Sequence, residues 1–276
     1  MVRLTHSNYR EQMQPFTAAD ALVRVPGVHD DKYSRGVLGV ITGSDQYPGA
    51  AVLGVEAALR TGLGMVRYLG PQRASDLVLA RRPEAVAGPG RVQAWLIGSG
   101  TDHATFANPE ADEAMTQGLP VILDGGALAL HTQRTGPLVI TPHYRELARV
   151  LDVSADEIAD DPAQWAVKAA EMLRVTVLLK GHTTYVAGPG IQLSVQSAPT
   201  WLATAGAGDA LAGILGALVA THADEIQEDE RMLARLAATA SLIHGLAADR
   251  ASQGGPVTIL DVCEAIPATV AALLRQ

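Results

Sequence analysis

The chain has 276 residues, of which 48% are hydrophobic and 18% are charged, and its formal net charge is −8. This composition supports one large buried core and argues against an intrinsically disordered chain. The acidic balance, with no block of basic residues, argues against nucleic acid as a partner. The single cysteine, Cys263, excludes an intrachain disulfide and fits a reducing compartment, so we expect the protein in the cytoplasm.

Membrane insertion is not expected. Residues 1–6 lack the apolar core of a signal peptide. The longest apolar run, residues 210–220, is too short to cross a bilayer and is interpreted as a buried helix.

Short apolar runs alternate with helical patterns along the whole chain. Strands are predicted at residues 37–42, 65–69, 94–97, 121–123, 138–140 and 175–179, and a hairpin at 183–186 and 192–195. Helices are predicted at residues 50–60, 110–117, 144–151, 162–173, 209–221, 229–250 and 259–274. Such alternation favours an α/β fold, with a mostly parallel central sheet and helices on both faces. We expect residues 1–276 to form a single domain, with residues 1–30 as a helical N-terminal arm.

Ligands of such sheets bind beyond the carboxyl ends of the strands, where the unusual residues of this chain fall. The segment Gly206-Ala207-Gly208-Asp209 precedes an apolar helix. Its small residues would let phosphate oxygens approach the free N–H groups of the helix N-terminus. Asp209 would then accept a proton from an attacking hydroxyl. Taken alone, the segment is more typical of a glycine turn before an ordinary helix-start acid.

A second segment begins at Lys180, directly after a predicted strand. The Lys180 ammonium would neutralise phosphate, and the turn from Gly181 to Thr184 offers N–H groups and two threonine hydroxyls. Taken alone, this segment is more typical of a solvated hairpin turn.

A third segment is Thr141-Pro142-His143, at the end of another strand. Thr141 is predicted as a helix N-cap and Pro142 as the first helical residue. His143 would then sit at a helix N-terminus, which favours a neutral imidazole able to donate or accept a hydrogen bond. The alternative is a polar helix-start residue without a functional role.

Two glycine loops and one acid complete the candidates. The loop at residues 43–51 lacks the Gly-Lys-Ser/Thr of a Walker A motif, and residues 98–101 form another close-approach loop. Asp124 ends a predicted strand and is interpreted as a ligand of a substrate hydroxyl or of hydrated Mg²⁺, or as a helix cap. No cluster has zinc-ligand spacing, so no residue is assigned to a metal.

Taken in order, these segments resemble the ADP-dependent NAD(P)H-hydrate dehydratase family. The resemblance runs from residue 35 to 248 and is carried by residues 43–51, 82–84, 123–128, 141–147, 179–184, 206–213 and 244–247. Three segments of the chain depart from the usual pattern. Ala205 and Ala207 stand in a Gly-Gly-Ser-Gly-Asp motif, Ser99 replaces the proline of a Gly-Pro-Gly loop, and Gly125-Gly126 follows Asp124 where a second acid is common.

The resemblance implies a ribokinase-like three-layer sandwich. It also implies ADP-dependent dehydration of the S form of hydrated NADH or NADPH, with AMP and phosphate as products. Mg²⁺ is expected with ADP, the partners are small molecules, and a homo-oligomer is expected. Carried over by position, Asp209 is the catalytic base and the anion hole is Gly206, Ala207 and Gly208. The nucleotide site is Lys180, Gly181, His182, Thr183, Thr184 and Gly208, and the hydrated-cofactor site is Ala50, Gly100, His143 and Asp209.

Two other functions fit parts of the sequence. Sugar and vitamin kinases of the same superfamily also carry Gly-Ala-Gly-Asp, so an ATP-dependent small-molecule kinase is the main alternative. A nucleotide-binding protein without catalysis is the third. The Thr141-Pro142-His143 segment and the loop at residues 47–51 favour the dehydratase, because sugar kinases are not expected to share them. The Ala-rich pattern at residues 233–248 would suit either a core or an oligomer interface.

Overall fold

The computed structural model describes residues 13–101 and 108–275. Its ten strands are β1 (Gln14–Pro15), β2 (Val37–Ile41), β3 (Met65–Tyr68), β4 (Val86–Ala87), β5 (Ala94–Ile97), β6 (Val121–Leu123), β7 (Leu138–Ile140), β8 (Thr176–Leu179), β9 (Thr184–Gly188) and β10 (Ile191–Val195). The α-helices are α1 (Pro48–Thr61), α2 (Gln72–Arg81), α3 (Pro109–Met115), α4 (Tyr144–Leu151), α5 (Ala155–Asp160), α6 (Pro162–Leu173), α7 (Ala207–Thr221), α8 (Ala223–Glu228), α9 (Met232–Ser252) and α10 (Ile259–Leu273).

All ten strands form one sheet in the order β1-β10-β9-β8-β7-β6-β5-β2-β3-β4. Strand β9 is antiparallel to both of its neighbours, and every other adjacent pair is parallel. The mostly parallel sheet and the hairpin predicted from the sequence are therefore confirmed.

Alternate residues of the strands enter two separate cores. Leu38 and Val40 of β2 pack in one core with helices α1, α2, α7, α9 and α10, while Val37 and Ile41 pack in the other with α3, α4, α5 and α6. Since helices cover both faces, the central strands are buried along their whole length, as expected for a parallel sheet. The result is a three-layer α/β sandwich.

The apolar run at residues 210–220 is buried throughout within α7, as predicted. Helix α9 buries most of its residues in the same core, so the Ala-rich pattern at residues 233–248 reflects packing within the chain. Among the helices of residues 13–101 and 108–275, none combines the length and apolarity that a membrane crossing requires.

The prediction of a helical N-terminal arm is wrong for its described part, residues 13–30. This part contains β1, which pairs with β10 at the sheet edge, and one 3₁₀ turn at Ala18–Asp20. Asp20 accepts hydrogen bonds from the backbone and side chain of Thr17, which stabilises this single turn. Pro26 and Gly27 then disfavour helix further along. Residues 1–12 lie outside the described residues.

Helices α2, α5 and α8 were not predicted, because each is short and its apolar pattern is weak. Helix α2 is attached to α1 by an ion-pair group around Glu56, whose side chain is fully buried. Arg60, Arg81 and Arg82 surround this carboxylate. Burial alone would raise the pKa of Glu56, but the three arginines lower it to about 2. Arg82, part of a segment that carries the family resemblance, therefore joins the two helices.

Candidate active site

Four polar residues meet where the central strands end. Ser99 lies just beyond β5, and Asp124, Thr141 and Lys180 directly follow β6, β7 and β8, which are consecutive parallel strands. Lys180 Nζ donates to Asp124 Oδ1 at 2.8 Å, and Thr141 Oγ1 donates to the same oxygen at 2.7 Å. Ser99 Oγ donates to Asp124 Oδ2 at 2.9 Å. We call these four residues the Asp124 cluster.

The Asp124 cluster holds a buried ion pair in its charged form. Burial alone would raise the pKa of Asp124, but the Lys180 charge and the hydrogen bonds from Lys180, Thr141 and Ser99 lower it below its usual value. Burial favours the neutral amine of Lys180, yet Asp124 and Glu146 keep its pKa above the usual value. A carboxylate and an ammonium therefore persist side by side.

The side chains of Asp124 and Thr141 make no helix-capping hydrogen bond within the described residues, although capping was predicted for Thr141 and was one interpretation of Asp124. Asp124 precedes the 3₁₀ helix Gly125–Gln133, but its side chain makes no capping bond. Thr141 is 1% exposed and bonds to Asp124. Pro142 is not helical, and its carbonyl accepts a hydrogen bond from the Lys180 N–H at 2.9 Å. The hydroxyl of Thr141 is used inside the site because Asp124 offers it a buried, charged acceptor.

His143 is the N-cap of α4. Its Nδ1 accepts hydrogen bonds from the backbone N–H groups of Arg145 at 3.1 Å and Glu146 at 3.2 Å. The His143 side chain is half exposed, and its remaining ring nitrogen, Nε2, lies 3.7 Å from Glu146 Oε1. The predicted position at a helix N-terminus is confirmed, but the helix begins at Tyr144, two residues after Pro142, the predicted first helical residue, so His143 precedes the helix instead of lying in its first turn.

Glu146 links this cap to the Asp124 cluster. Its Oε2 accepts a hydrogen bond from the His143 N–H at 2.7 Å and lies 3.6 Å from Lys180 Nζ. No role was predicted for Glu146 from the sequence. The signal was available, because a glutamate three residues after a cap is the pattern of a capping box.

The entrance to α7 has the geometry of an anion site. Gly206 is its N-cap with φ +90°, a conformation that favours glycine, and a Cβ there would lie 2.5 Å from Leu53 Cδ1. The N–H of Ala207 donates to the Thr204 carbonyl at 3.3 Å. Within the described residues, the N–H groups of Gly208 and Asp209 have no acceptor. Of the three residues predicted to form the anion hole, Ala207 thus has its backbone N–H bonded within the chain.

Asp209 is a largely buried acid in the first turn of α7. No side chain of the described ranges donates to its carboxylate. Burial raises the pKa of Asp209 to about 7, the carboxylates of Asp124 and Glu146 act in the same direction, and Lys180 opposes them. Lys180 Nζ lies 3.3 Å from the position that a Cβ on Gly208 would occupy. The structure therefore brings Lys180, Gly208 and Asp209 together, as their predicted roles require.

The turn after Lys180 connects β8 and β9. Gly181 and His182 are exposed and Thr183 is half-buried, so their polar groups are accessible at this edge. A Cβ on Gly181 would lie 2.7 Å from the Tyr144 hydroxyl oxygen, which places this turn beside α4. Thr184 differs, because it is the first residue of β9 and is buried.

Ala50 and Gly100 lie against each other across the two glycine loops. Gly100 has φ +69°, and a Cβ there would approach the Cβ of Ala50 to 2.3 Å and the carbonyl of Tyr47 to 3.1 Å. A cleft of about 260 Å³ opens beside them. The described residues that line it are Tyr47, Thr101, Gly125, Gly126, Leu128, Glu146 and Arg149.

No role was predicted from the sequence for His244 of α9. It lies close enough to Lys180 for the lysine charge to affect the pKa of its ring. Burial lowers the pKa of His244 to about 4, and Lys180 acts in the same direction. Its Nε2 is buried and has no hydrogen-bond partner within the described residues. The next residue, Gly245, packs against Ser197, since a Cβ there would lie 2.2 Å from Ser197 Oγ. Because its pKa is about 4, the His244 ring is neutral near pH 7.

A family model and several curated proteins match this chain. The family model described as NAD(P)H-hydrate dehydratase matches residues 38–268. The bifunctional NAD(P)H-hydrate repair enzyme Nnr of Mycobacterium tuberculosis (strain ATCC 25618 / H37Rv) is 43% identical over 223 residues, which are 75% of this chain and 46% of that protein. The ADP-dependent (S)-NAD(P)H-hydrate dehydratase of Bacillus subtilis (strain 168) is 32% identical over 213 residues, or 71% of this chain and 76% of that protein. The chain spans about half the length of the bifunctional relatives that it matches.

Among solved structures, the ADP/ATP-dependent NAD(P)H-hydrate dehydratase of Bacillus subtilis, co-crystallised with ATP and Mg²⁺, has a TM-score of 0.85 to this chain. The two are 26% identical, and the similarity covers 95% of this chain and 99% of that one. The ribokinase-like three-layer fold expected from the sequence is thereby confirmed.

Proposed function

The chain belongs to the NAD(P)H-hydrate dehydratase family, and we propose that it catalyses ADP-dependent dehydration of the S form of hydrated NADH and NADPH. The products are NADH or NADPH, AMP and phosphate. The protein would thus repair a nicotinamide cofactor that has gained water on its ring.

The environment of Asp209 carries this proposal. Its carboxylate is largely buried and accepts no side-chain hydrogen bond within the described residues, and its pKa lies near 7. It also shares the α7 entrance with the unused N–H group of Gly208 and with the Lys180 ammonium. An uncommitted carboxylate next to an anion site is suited to take a proton from a hydroxyl that attacks a phosphoryl group.

The proposed reaction has two steps. The ring hydroxyl of the hydrated cofactor attacks the terminal phosphorus of ADP, its proton passes to Asp209, and the bond to the bridging oxygen breaks to release AMP. The ring then expels phosphate and loses a proton from the adjacent carbon, which restores the double bond. Phosphate is a better leaving group than hydroxide, so phosphorylation lowers the barrier to dehydration.

The surrounding residues have proposed roles in binding. The free N–H groups at the α7 entrance, with Gly206 and Gly208, would hold phosphoryl oxygens as charge develops on them. Lys180 and the turn from Gly181 to Thr184 would bind the nucleotide. Ala50, Gly100 and His143 would bind the hydrated ring, because they lie around or beside the cleft.

Mg²⁺ is proposed to accompany the nucleotide. This ion usually binds through one or two carboxylates together with phosphate oxygens. Glu146 lines the cleft, and Asp124 Oδ2 accepts one hydrogen bond within the described residues, from Ser99, so both supply suitable oxygens. Within the described residues, no group of three or more Asp, Glu, His or Cys is arranged to hold a metal, which fits an ion that arrives with its nucleotide. The ion would neutralise phosphoryl charge.

The direct test is to mix the purified protein with hydrated NADH, ADP and Mg²⁺ and to follow the return of NADH absorbance. We expect ADP-dependent recovery, and Asp209→Asn should lower kcat roughly 10²- to 10⁴-fold. The variant should keep the rise in melting temperature that ADP causes, since the fold and the phosphate donors remain. Wild-type protein that shows no recovery with ADP contradicts the proposal.

The same preparation tests the alternatives. ATP consumption with a sugar or vitamin alcohol, but none with the hydrate, would indicate the small-molecule kinase. Binding of nucleotide without any turnover would indicate a non-catalytic nucleotide-binding protein.

Three further expectations from the sequence stay predictions: a single domain over residues 1–276, a homo-oligomer and a cytoplasmic location. The Ala-rich helix α9 gives the homo-oligomer no support, because it packs inside the chain. Light scattering on the purified protein measures the oligomeric state.

A further inference from the structure

Arg149 is a positively charged residue on the wall of the cleft. It lies on α4, one turn after Glu146, and its side chain is exposed. Within residues 13–101 and 108–275, it forms no ion pair and no side-chain hydrogen bond. The cleft therefore presents an arginine whose five N–H donors are uncommitted.

The nearest acid on the same helix does not neutralise Arg149. Glu146 accepts a hydrogen bond from the His143 N–H, and its Oε2 lies 3.6 Å from Lys180 Nζ. Glu146 is thus held by the α4 cap and by the Asp124 cluster, and no ion pair joins it to Arg149.

Another part of the described cleft lining consists of two glycines. Gly125 and Gly126 line it where a second acid often follows the strand-end aspartate in this family. Without that acid, the described lining of the cleft contains one carboxylate, Glu146, and one guanidinium, Arg149.

We propose that Arg149, which lines the same cleft as Gly125 and Gly126, forms a subsite for a phosphate group of the hydrated dinucleotide. This inference rests on the proposed function and names a residue that determines affinity for that substrate. A guanidinium matches phosphate in geometry and donates two parallel hydrogen bonds to it. Gly125 and Gly126 have no side chains, so they leave room for the phosphate and add no negative charge to the cleft lining. The cleft adjoins Gly100 and Ala50, so a bound dinucleotide would reach both regions.

Two phosphate sources are possible in this substrate, and kinetics separates them. We expect Arg149→Gln to raise the KM for the hydrated cofactor roughly 10- to 100-fold, which is the loss of a charged hydrogen-bonded contact. A rise in the KM for hydrated NADPH alone would assign the subsite to the 2′-phosphate. An equal rise for hydrated NADH and hydrated NADPH would assign it to the pyrophosphate. The KM for ADP should stay unchanged in both cases.

Arg145→Gln is the matched control, because Arg145 is an exposed arginine of the same helix and is not among the described residues that line the cleft. It should leave every KM unchanged. If the wild type turns over and Arg149→Gln changes no KM for the hydrates, or raises only the KM for ADP, the subsite is wrong while the proposed function stands. If the wild type shows no ADP-dependent turnover, the proposed function fails and the subsite loses its ligand with it.

Discussion

Asp124 and Asp209 lie at the same edge of the sheet, yet their surroundings are opposite. Asp124 follows a strand and receives hydrogen bonds from Lys180, Thr141 and Ser99, so its pKa falls below the usual value despite burial. Asp209 opens a helix, receives no side-chain donor within the described residues, and has a pKa raised to about 7 by burial. Two identical carboxyl groups thus have different chemistry, because one accepts hydrogen bonds on both oxygens and the other accepts no side-chain hydrogen bond within the described residues.

The difference indicates how the two acids divide the work. A carboxylate that accepts hydrogen bonds on both oxygens holds its neighbours in place. It is a poor base, because protonation would weaken these contacts. An unbonded, buried carboxyl gains or loses a proton near neutral pH. Moreover, the negative charge of Asp124 contributes to the raised pKa of Asp209.

The largest expected effect comes from removing the cation that Asp124 depends on. Lys180→Met leaves a buried carboxylate without its counter-ion, and we expect the free energy of unfolding to fall by about 3–5 kcal/mol. Urea unfolding measures this change. Lys32→Met, at an exposed lysine, is the control and should change stability by less than about 0.5 kcal/mol. Adding Asp124→Asn to Lys180→Met should recover part of the loss, and a double variant no more stable than the single one would contradict the explanation.

The second expectation concerns pH. Since Asp209 must be ionised to act as a base, kcat/KM should rise with pH up to about 7 and be roughly 50-fold lower at pH 5 than at pH 7. Stability should move the other way. The folded state holds a proton on Asp209 that the unfolded state has lost between pH 3.8 and about 7, so the free energy of unfolding falls as pH rises through that window.

Urea unfolding at several pH values, with no ligand present, tests the stability part of this expectation. Asp209→Asn, which cannot ionise, should remove the contribution of this residue to the slope. An unchanged slope in the variant would mean that Asp209 has an ordinary pKa.

The smallest expected effect is the loss of one bond to Asp124. Ser99→Ala should lower the free energy of unfolding by about 1–2 kcal/mol, because one oxygen of a buried carboxylate loses its donor. Thr42→Val is the matched control, since the buried Thr42 hydroxyl has no partner within the described residues and its removal should cost less. Equal losses in the two variants would show that the bond from Ser99 adds nothing to Asp124.

The strands that position this site were predicted from the sequence better than the side-chain contacts within it. Strong apolar runs located the central strands, and the order of the parallel strands then placed Asp124 and Lys180 at one edge. The bond from Ser99 to Asp124 joins residues 25 positions apart, and no local pattern indicates it. Thr141 was assigned to a helix cap because threonine before proline is a typical helix start, while the acceptor that took its hydroxyl lies on another strand. Short helices such as α5 were missed because they bury few residues.

The cap formed by His143 also fixes where the hydrogen of its ring resides. Because Nδ1 accepts two backbone N–H groups, these contacts assign the hydrogen of the neutral ring to Nε2. Nε2 can therefore only donate a hydrogen bond, and Glu146 Oε1 lies 3.7 Å from it. A ligand contact at this nitrogen would need a carbonyl or hydroxyl oxygen, because an amide N–H offers no lone pair. Any ligand that contacts Nε2 must turn a lone pair towards it, so the helix cap would also limit the orientation of a substrate bound there.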